Sequence, residues 1–165
     1  MNRLDPNLLR DVTAECQGFQ ARVTARAITR FYNAFFQPLD LTAEQFSLLV
    51  GIGAADGATV AELAGCAGVD ATTLSRNVQN LERRRLARAE GGRGRAGKRL
   101  SLTNSGRRLL LEALPRWERA KTELSKRMGD RRLQLARQAM TELAVAADVP
   151  IAAGPRSTPK RASPP

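Results

Sequence analysis

The residues best equipped for chemistry lie in one polar segment at residues 71–86, which reads ATTLSRNVQNLERRRL. On a helix with about 100° per residue, Leu74, Val78 and Leu81 fall on one line and form an apolar stripe. The opposite side carries hydroxyl, amide and guanidinium groups, which are the groups that bond base edges and phosphates in DNA. An ordinary solvated helix face is the alternative. The candidate DNA-contacting residues here are Thr72, Thr73, Arg76, Asn77, Gln79, Asn80 and Arg83.

A second candidate site is the glycine-rich basic stretch at residues 91–99, which reads GGRGRAGKR. Such a segment has no apolar side chains large enough to offset the entropy of ordering it, so we expect its order to come from a partner. A thin cationic tip suits phosphates or the narrow minor groove of DNA. The alternative is a mobile hairpin with incidental charge. The candidate contacts in this stretch are Arg93, Arg95, Lys98 and Arg99.

The charge distribution supports a polyanionic partner. The chain has a net charge of +11, yet residues 1–69 contain five Arg against seven Asp and Glu. Residues 70–103 contain nine Lys and Arg against three acids, so the positive charge is concentrated around the two candidate segments. A basic surface that only aids solubility is the competing explanation.

Composition argues against most enzymes. The chain has no histidine, which removes the commonest general base and a common metal ligand. Cys16 and Cys66 are too few for a disulfide framework and lack metal-ligand spacing. No nucleophile–base motif or phosphate-binding loop is present. We therefore expect no enzymatic activity, no cofactor and no metal site.

The elements around the candidate segments predict a helix-turn-helix followed by a wing. Residues 42–45 and 59–62 are capping boxes that open two helices, and Asp70 caps the polar helix after a glycine-containing turn. Short alternating apolar runs at residues 87–90 and 99–102 flank the glycine-rich stretch and predict a β-hairpin. The predicted fold class is mostly α with a small β-hairpin, a winged helix-turn-helix with long dimerisation helices.

A long helical pattern before this region predicts association with a second chain. Asp5 and Pro6 open an apolar pattern that runs to Pro38, and a helix of roughly 30 residues would be about 45 Å long, more than one small domain needs. Pro115 should kink or break the helix that Thr103 caps, and a last helix is expected at about 131–147. The predicted regions are an N-terminal dimerisation helix (5–38), a DNA-binding region (39–103), C-terminal helices (104–147) and a disordered basic, proline-rich tail (148–165).

The quoted segments resemble a known family. TVAELA, TTLSRNVQNLERR and RLSLTNSG together are similar to MarR-type winged-helix transcriptional regulators, and the resemblance extends to about residue 145. It implies an obligate homodimer, built by the first and the last two helices, so that residues 104–147 hold C-terminal dimerisation helices. The dimer binds a palindromic double-stranded DNA operator, usually as a repressor released by small aromatic or anionic ligands or by oxidants. One departure lies in the wing, where the family's Asp and the Arg two residues later match Gly94 and Ala96.

The resemblance also implies an effector site between the dimerisation helices and the DNA-binding lobe. Aromatic residues at helical spacing are equally typical of a core or a dimer interface. Arg26 and Arg30 are candidates to hold an anionic ligand, although solvated side chains are the alternative. The candidate pocket residues are Phe31, Tyr32, Phe35, Phe46 and Trp117.

Cysteine chemistry and an architectural role are the remaining alternatives. The peroxide-sensing branch of the family uses a cysteine in the first helix, which makes Cys16 a candidate redox residue, although on an apolar seam it would act as a small hydrophobe. Cys66 is expected to be a small filler. The chain would instead be an architectural or anti-silencing protein if it bound DNA with little sequence preference. The N-terminus has no apolar signal segment, so we expect a cytoplasmic, nucleoid-associated protein.

Overall fold

The computed structural model describes residues 4–91 and 97–148, in two compact units that divide after Glu123. Within these residues the fold is mostly helical, with one antiparallel two-stranded hairpin, as predicted. Across the described ranges, no helix combines the length and the apolar character that crossing a membrane would require. The elements are α1 (Pro6–Glu15), α2 (Gln17–Phe36), a 3-10 turn (Gln37–Leu39), α3 (Ala43–Ala54), α4 (Val60–Ala67), α5 (Ala71–Arg83), β1 (Ala87–Glu90), β2 (Arg99–Leu102), α6 (Asn104–Met128) and α7 (Asp130–Ala147).

The three helices of the predicted DNA-binding region begin at the caps that the sequence indicated. Thr42 and Gln45 form a reciprocal capping box at α3, and Thr59 and Glu62 form another at α4. The Asp70 side chain accepts from the Thr73 N–H at the start of α5. These caps bond donors that the first turn of a helix leaves without partners, so each helix starts at a defined residue.

The core of the first unit lies beneath α5. Leu74, Val78 and Leu81 are buried, which confirms the predicted apolar stripe. They pack in one cluster with α2, α3 and the hairpin. Because one side of α5 is buried, its opposite side is held outward. The largest fully buried side chains of the cluster are Phe36, Leu49, Ile52, Leu81 and Leu100.

The hairpin is joined to the chain segment before α4. Ala87 pairs with Leu102 and Glu90 pairs with Arg99 across the two strands. On the far side of β2, the Leu100 N–H donates to the Ala58 carbonyl at 2.9 Å, and its carbonyl accepts from the Gly57 N–H at 3.0 Å. The base of the wing is therefore fixed to the helix-turn-helix by backbone hydrogen bonds.

The N-terminal helix differs from the prediction of one helix between Asp5 and Pro38. Cys16 has an extended backbone (φ −69°, ψ 108°), which divides the segment into α1 and α2. The Gln20 side chain donates to the Thr13 carbonyl at 3.2 Å, so a carbonyl freed by the break has a partner. No residue of α1 is buried, so within this unit the interruption disrupts no buried side chain of that helix. Nearby Gly18 also lowers helix propensity, which reduces the free-energy cost of the interruption.

The helix at Pro115 is continuous, so the predicted break near Leu114 is absent. Proline at position 115 leaves the carbonyl of Leu111 without its usual donor. Both Leu111 and Pro115 are exposed, so water can bond that carbonyl. In the second unit, α7 covers residues 130–147, which agrees with the predicted last helix.

Candidate nucleic-acid interface

The outward side of α5 carries three side chains available for an external partner. Thr72, Arg76 and Gln79 are exposed, and none of them makes a side-chain hydrogen bond or ion pair within the described part of the chain. We call these three residues the reading face. Asn77 is half-buried beside it. Hydroxyl, guanidinium and amide groups on an exposed helix can reach base edges in a major groove.

The other α5 candidates are already bonded within the helix. The Thr73 hydroxyl donates to Asp70 Oδ2 at 2.6 Å, so the hydroxyl proton of Thr73 is already used in the cap of the helix. Arg83 Nη2 donates to Asn80 Oδ1. A bidentate contact to adenine uses both the oxygen and the nitrogen of an amide, so Asn80 would have to release Arg83 first. The sequence candidates of α5 therefore fall into available and engaged groups.

Asp70 keeps a negative charge at the N-terminus of α5. The hydrogen bond from the Thr73 hydroxyl, and to a smaller extent the one from the Thr73 N–H, lowers the pKa of the Asp70 carboxyl. A carboxylate at this end stabilises the helix dipole. Because that carboxylate occupies the helix terminus, DNA phosphates are better matched by the arginines farther along the helix.

Arg99 is an anchor of the wing rather than an unpaired cation. Its Nη1 donates to the Gly57 carbonyl at 2.8 Å, and its backbone bridges to Thr59. Thr59 in turn bonds Glu62, and these backbone and side-chain hydrogen bonds, with a smaller attraction from Arg99, lower the pKa of the Glu62 carboxyl. Its spacing in the sequence gives no indication of these partners. Because Arg99 is exposed, its contact with DNA phosphate remains a prediction.

The other wing candidates are only partly described. Lys98 is exposed beside the start of β2, as a phosphate contact requires. Arg93 and Arg95 lie outside the described residues. On β1, Arg88 donates to the Ser101 hydroxyl at 2.9 Å and lies 3.2 Å from a Glu90 carboxylate oxygen, so its charge is partly neutralised on the hairpin.

A junction after α5 fixes the end of that helix and the start of the wing. The Thr103 hydroxyl donates to the Arg85 carbonyl at 2.6 Å and accepts from the Gly106 N–H at 3.0 Å. It also caps α6, as predicted. The end of α5, β1 and α6 therefore meet at one threonine.

Sequence analysis also missed Arg84, whose side chain bonds Gln45 and lies beside Asp40.

The aromatic candidates for an effector site divide between core and half-buried positions. Phe46 is buried, with its ring stacked on Phe36 at 4.5 Å between centroids, and it therefore serves the core. Tyr32 and Trp117 are half-buried against the same core. Phe31 and Phe35 are half-buried neighbours on α2, with ring centroids 5.2 Å apart. A role in binding an effector remains a prediction for all five aromatic candidates.

Both cysteines are exposed as free thiols. Cys66 is therefore not the filler that its small neighbours suggested, since it packs in no core. Cys16 lies at the break between α1 and α2. Among the described residues, no three His, Cys, Asp or Glu side chains come together in a way that could hold a metal ion.

Comparisons with known proteins agree with this geometry. The sequence model of the MarR family matches residues 39–96. The crystal structure of the transcriptional regulator MosR from M. tuberculosis is similar to this chain, with 33% identity, a TM-score of 0.73, and coverage of 82% of this chain and 98% of that one. MosR is also known in complex with DNA, with 33% identity, a TM-score of 0.70, and coverage of 82% and 100%.

More distant structures share the fold. A MarR variant from E. coli in complex with operator DNA has 22% identity and a TM-score of 0.68, covering 84% of this chain and 97% of that one. The PcaV regulator from Streptomyces coelicolor, in complex with its natural ligand, has 20% identity and a TM-score of 0.67, covering 90% and 100%. No curated protein sequence matches the chain.

Proposed function

Because the chain belongs to the MarR family of winged-helix transcriptional regulators, we propose that it binds a specific double-stranded DNA site and regulates transcription, with repression as the expected outcome. The observation that carries this proposal is the reading face. Thr72, Arg76 and Gln79 project from a helix whose other side is fixed in the core. MosR, at 33% identity, is known bound to DNA, which supports the same partner here. Such a regulator acts in the cytoplasm, at the nucleoid.

We propose that the DNA-binding form is a homodimer. Neither α1 nor α7 contains a buried residue. Large apolar side chains on both helices are exposed, including Leu8 at 59% and Val145 at 67%. Exposed apolar residues grouped on helices are typical of protein interfaces, and the family resemblance makes a second copy the expected partner. Two copies would place two reading faces along one duplex.

We also propose that a small aromatic or anionic molecule releases the DNA. The half-buried aromatic residues Phe31, Phe35 and Trp117 offer flat apolar surface that a small ring can contact. PcaV, which has the same fold, is known with its natural ligand. Arg26 and Arg30 are exposed on α2 and are the candidates for an anionic group of such a molecule.

Selection of bound duplexes from a random pool tests the proposal. We expect the selected sequences to contain two symmetry-related half-sites whose centres are about 10–10.5 base pairs apart or a multiple of that spacing. The mass of the complex in solution should correspond to two chains on each duplex. Selected pools without any enriched sequence would favour an architectural protein of low specificity and would contradict the proposal.

An oxidant sensor at Cys16 is a second candidate. The observation that favours it is an exposed thiol at the interruption between α1 and α2, where a modification can alter the backbone without disturbing a core. Peroxide should then release DNA from the parent protein and leave the Cys16→Ser variant bound. Equal responses of the two proteins would exclude this role.

A further inference from the structure

Three consecutive arginines end the polar helix, and they occupy three different environments. Arg83 is exposed on α5 and Arg85 is exposed beyond it, whereas the Arg84 side chain is only 31% exposed. Arg84 is displaced by about 100° from Arg83 around the helix axis, toward the protein. Its guanidinium therefore does not share the direction of the reading face.

Arg84 bonds two acceptors around the connection between α2 and α3. Its Nη1 donates to Gln45 Oε1 at 3.1 Å, and its Nη2 lies 3.3 Å from Asp40 Oδ2. The Asp40 side chain is 98% exposed, so this ion pair contributes little, and the part-buried bond to Gln45 is the stronger constraint. A planar guanidinium can serve both acceptors at once, which a single ammonium group does less well.

The Gln45 acceptor is itself held in place. Gln45 Oε1 also accepts from the Thr42 N–H at 3.1 Å, while the Gln45 N–H donates to the Thr42 hydroxyl at 3.1 Å. Ala43, which follows Thr42, donates its N–H to the side-chain oxygen of Asn33 in α2 at 2.7 Å. Arg84 is thus bonded to the capped start of α3, which is itself tied to α2.

We infer that Arg84 is a positioning residue, which fixes the C-terminal end of α5 against the α2–α3 connection and sets the orientation of the reading face without contacting DNA. This inference rests on the proposed function. It assigns different roles to adjacent arginines that a charge count would treat alike. A phosphate contact contributes to the salt dependence of binding, whereas a positioning residue does not.

The test measures binding to a selected duplex and to a random duplex of the same length over a series of salt concentrations. Arg84→Ala should weaken binding to the selected duplex about tenfold, with a smaller effect on the random one, because the bond that orients α5 is lost. The slope of log K against log salt should equal that of the parent. In the matched control Arg83→Ala, loss of a phosphate contact would reduce the slope by about 0.9.

Variants of the partner separate positioning from a general loss of structure. Gln45→Glu keeps an acceptor for Arg84 and for the cap, so it should retain parental discrimination. Gln45→Ala should reproduce the loss of discrimination, although it also removes the cap bond to the Thr42 N–H. The double variant with Arg84→Ala should discriminate no worse than Gln45→Ala alone, because Gln45→Ala already removes the bond to Arg84. If Arg84→Ala does not fold, Arg84→Lys serves instead, since it keeps the charge and weakens the double contact.

The outcomes distinguish the inference from the function on which it rests. A parent protein that does not discriminate between the two duplexes refutes the proposed function. If the parent does discriminate, a reduced salt slope in the Arg84 variants would identify Arg84 as a phosphate contact and overturn the inference. Unchanged affinity and discrimination in those variants would overturn it as well.

Discussion

Gly106 lies against the backbone carbonyl of Leu86, and a Cβ atom added at position 106 would come within 1.9 Å of that oxygen. The carbonyl cannot move away freely, because it also accepts from the Thr103 N–H at 3.1 Å. The first turn of α6 therefore approaches the end of the polar helix at a distance that only glycine permits. Leu86 lies directly before β1, so this contact joins α6 to the connection between α5 and β1.

Gly106→Ala should destabilise the protein by about 2–4 kcal/mol, because the overlap is with backbone rather than with a movable side chain. Chemical denaturation of both proteins measures the difference. Gly65 in α4 is the matched control, since a Cβ there would meet nothing within 4 Å. Gly65→Ala should stabilise by about 0.5–1 kcal/mol through helix propensity. Similar effects at the two positions would contradict the close approach.

Arg85→Gly should stabilise the protein by about 1 kcal/mol, because Arg85 occupies the left-handed region at φ 57°. The bonds from the Arg85 N–H to the Glu82 carbonyl and from the Leu86 N–H to the Leu81 carbonyl form a helix C-terminus in which glycine is preferred at this position. Thermal unfolding provides the measurement. Gly68 (φ 63°) ends α4 in the same way, so Gly68→Ala should lose about as much stability as Arg85→Gly gains. A lower melting temperature for Arg85→Gly would refute the argument.

Stability should fall in acid because of the helix caps. Hydrogen bonds from Thr59 lower the pKa of Glu62 in the folded state, so its contribution is present above the unfolded pKa and is lost as the pH falls through the folded pKa. The loss of stability should begin at about pH 5. Glu62→Gln keeps the capping oxygen but does not titrate, so unfolding free energy measured against pH should have a shallower acid slope. Asp70→Asn should act in the same direction, because hydrogen bonds from Thr73 lower the pKa of Asp70. Parental slopes in both variants would show that the caps do not cause the acid effect.

Arg76→Ala should reduce sequence discrimination at the base pair that it contacts, because Arg76 belongs to the reading face and a bidentate arginine contact contributes about 1–3 kcal/mol of discrimination between bases. Binding to selected duplexes with single base changes measures this loss. Lys98→Ala should instead weaken binding to all duplexes by a similar factor and reduce the salt slope by about 0.9. Unchanged discrimination in the Arg76→Ala variant would show that residues other than Arg76 read the bases.

Local patterns in the sequence predicted the central part of the fold. The capping residues Thr42, Thr59 and Asp70 marked the starts of α3, α4 and α5, because a cap is a bond between residues two or three positions apart. The stripe of Leu74, Val78 and Leu81 likewise followed from helical periodicity. Such features depend on neighbours within one helix and can be found without a three-dimensional structure.

The remaining features depend on contacts that are distant in sequence. The Arg84–Gln45 bond joins residues 39 positions apart, and Arg99 bonds a carbonyl 42 positions away, so neither role is visible in spacing. No proline or other strong helix breaker lies at the interruption at Cys16, and only the nearby Gly18 indicated a weaker helix. Gly106 did carry an indication, since glycine is unfavourable within a helix unless close packing requires it.

The central claim is that the reading face distinguishes one DNA sequence from others. Competition between the selected duplex and a shuffled duplex of the same length and composition, at physiological salt, tests it most directly. We predict a ratio of dissociation constants of about 10³ or more, because specific sites exceed non-specific DNA by at least that factor in regulators of this kind. A ratio near one would contradict the account.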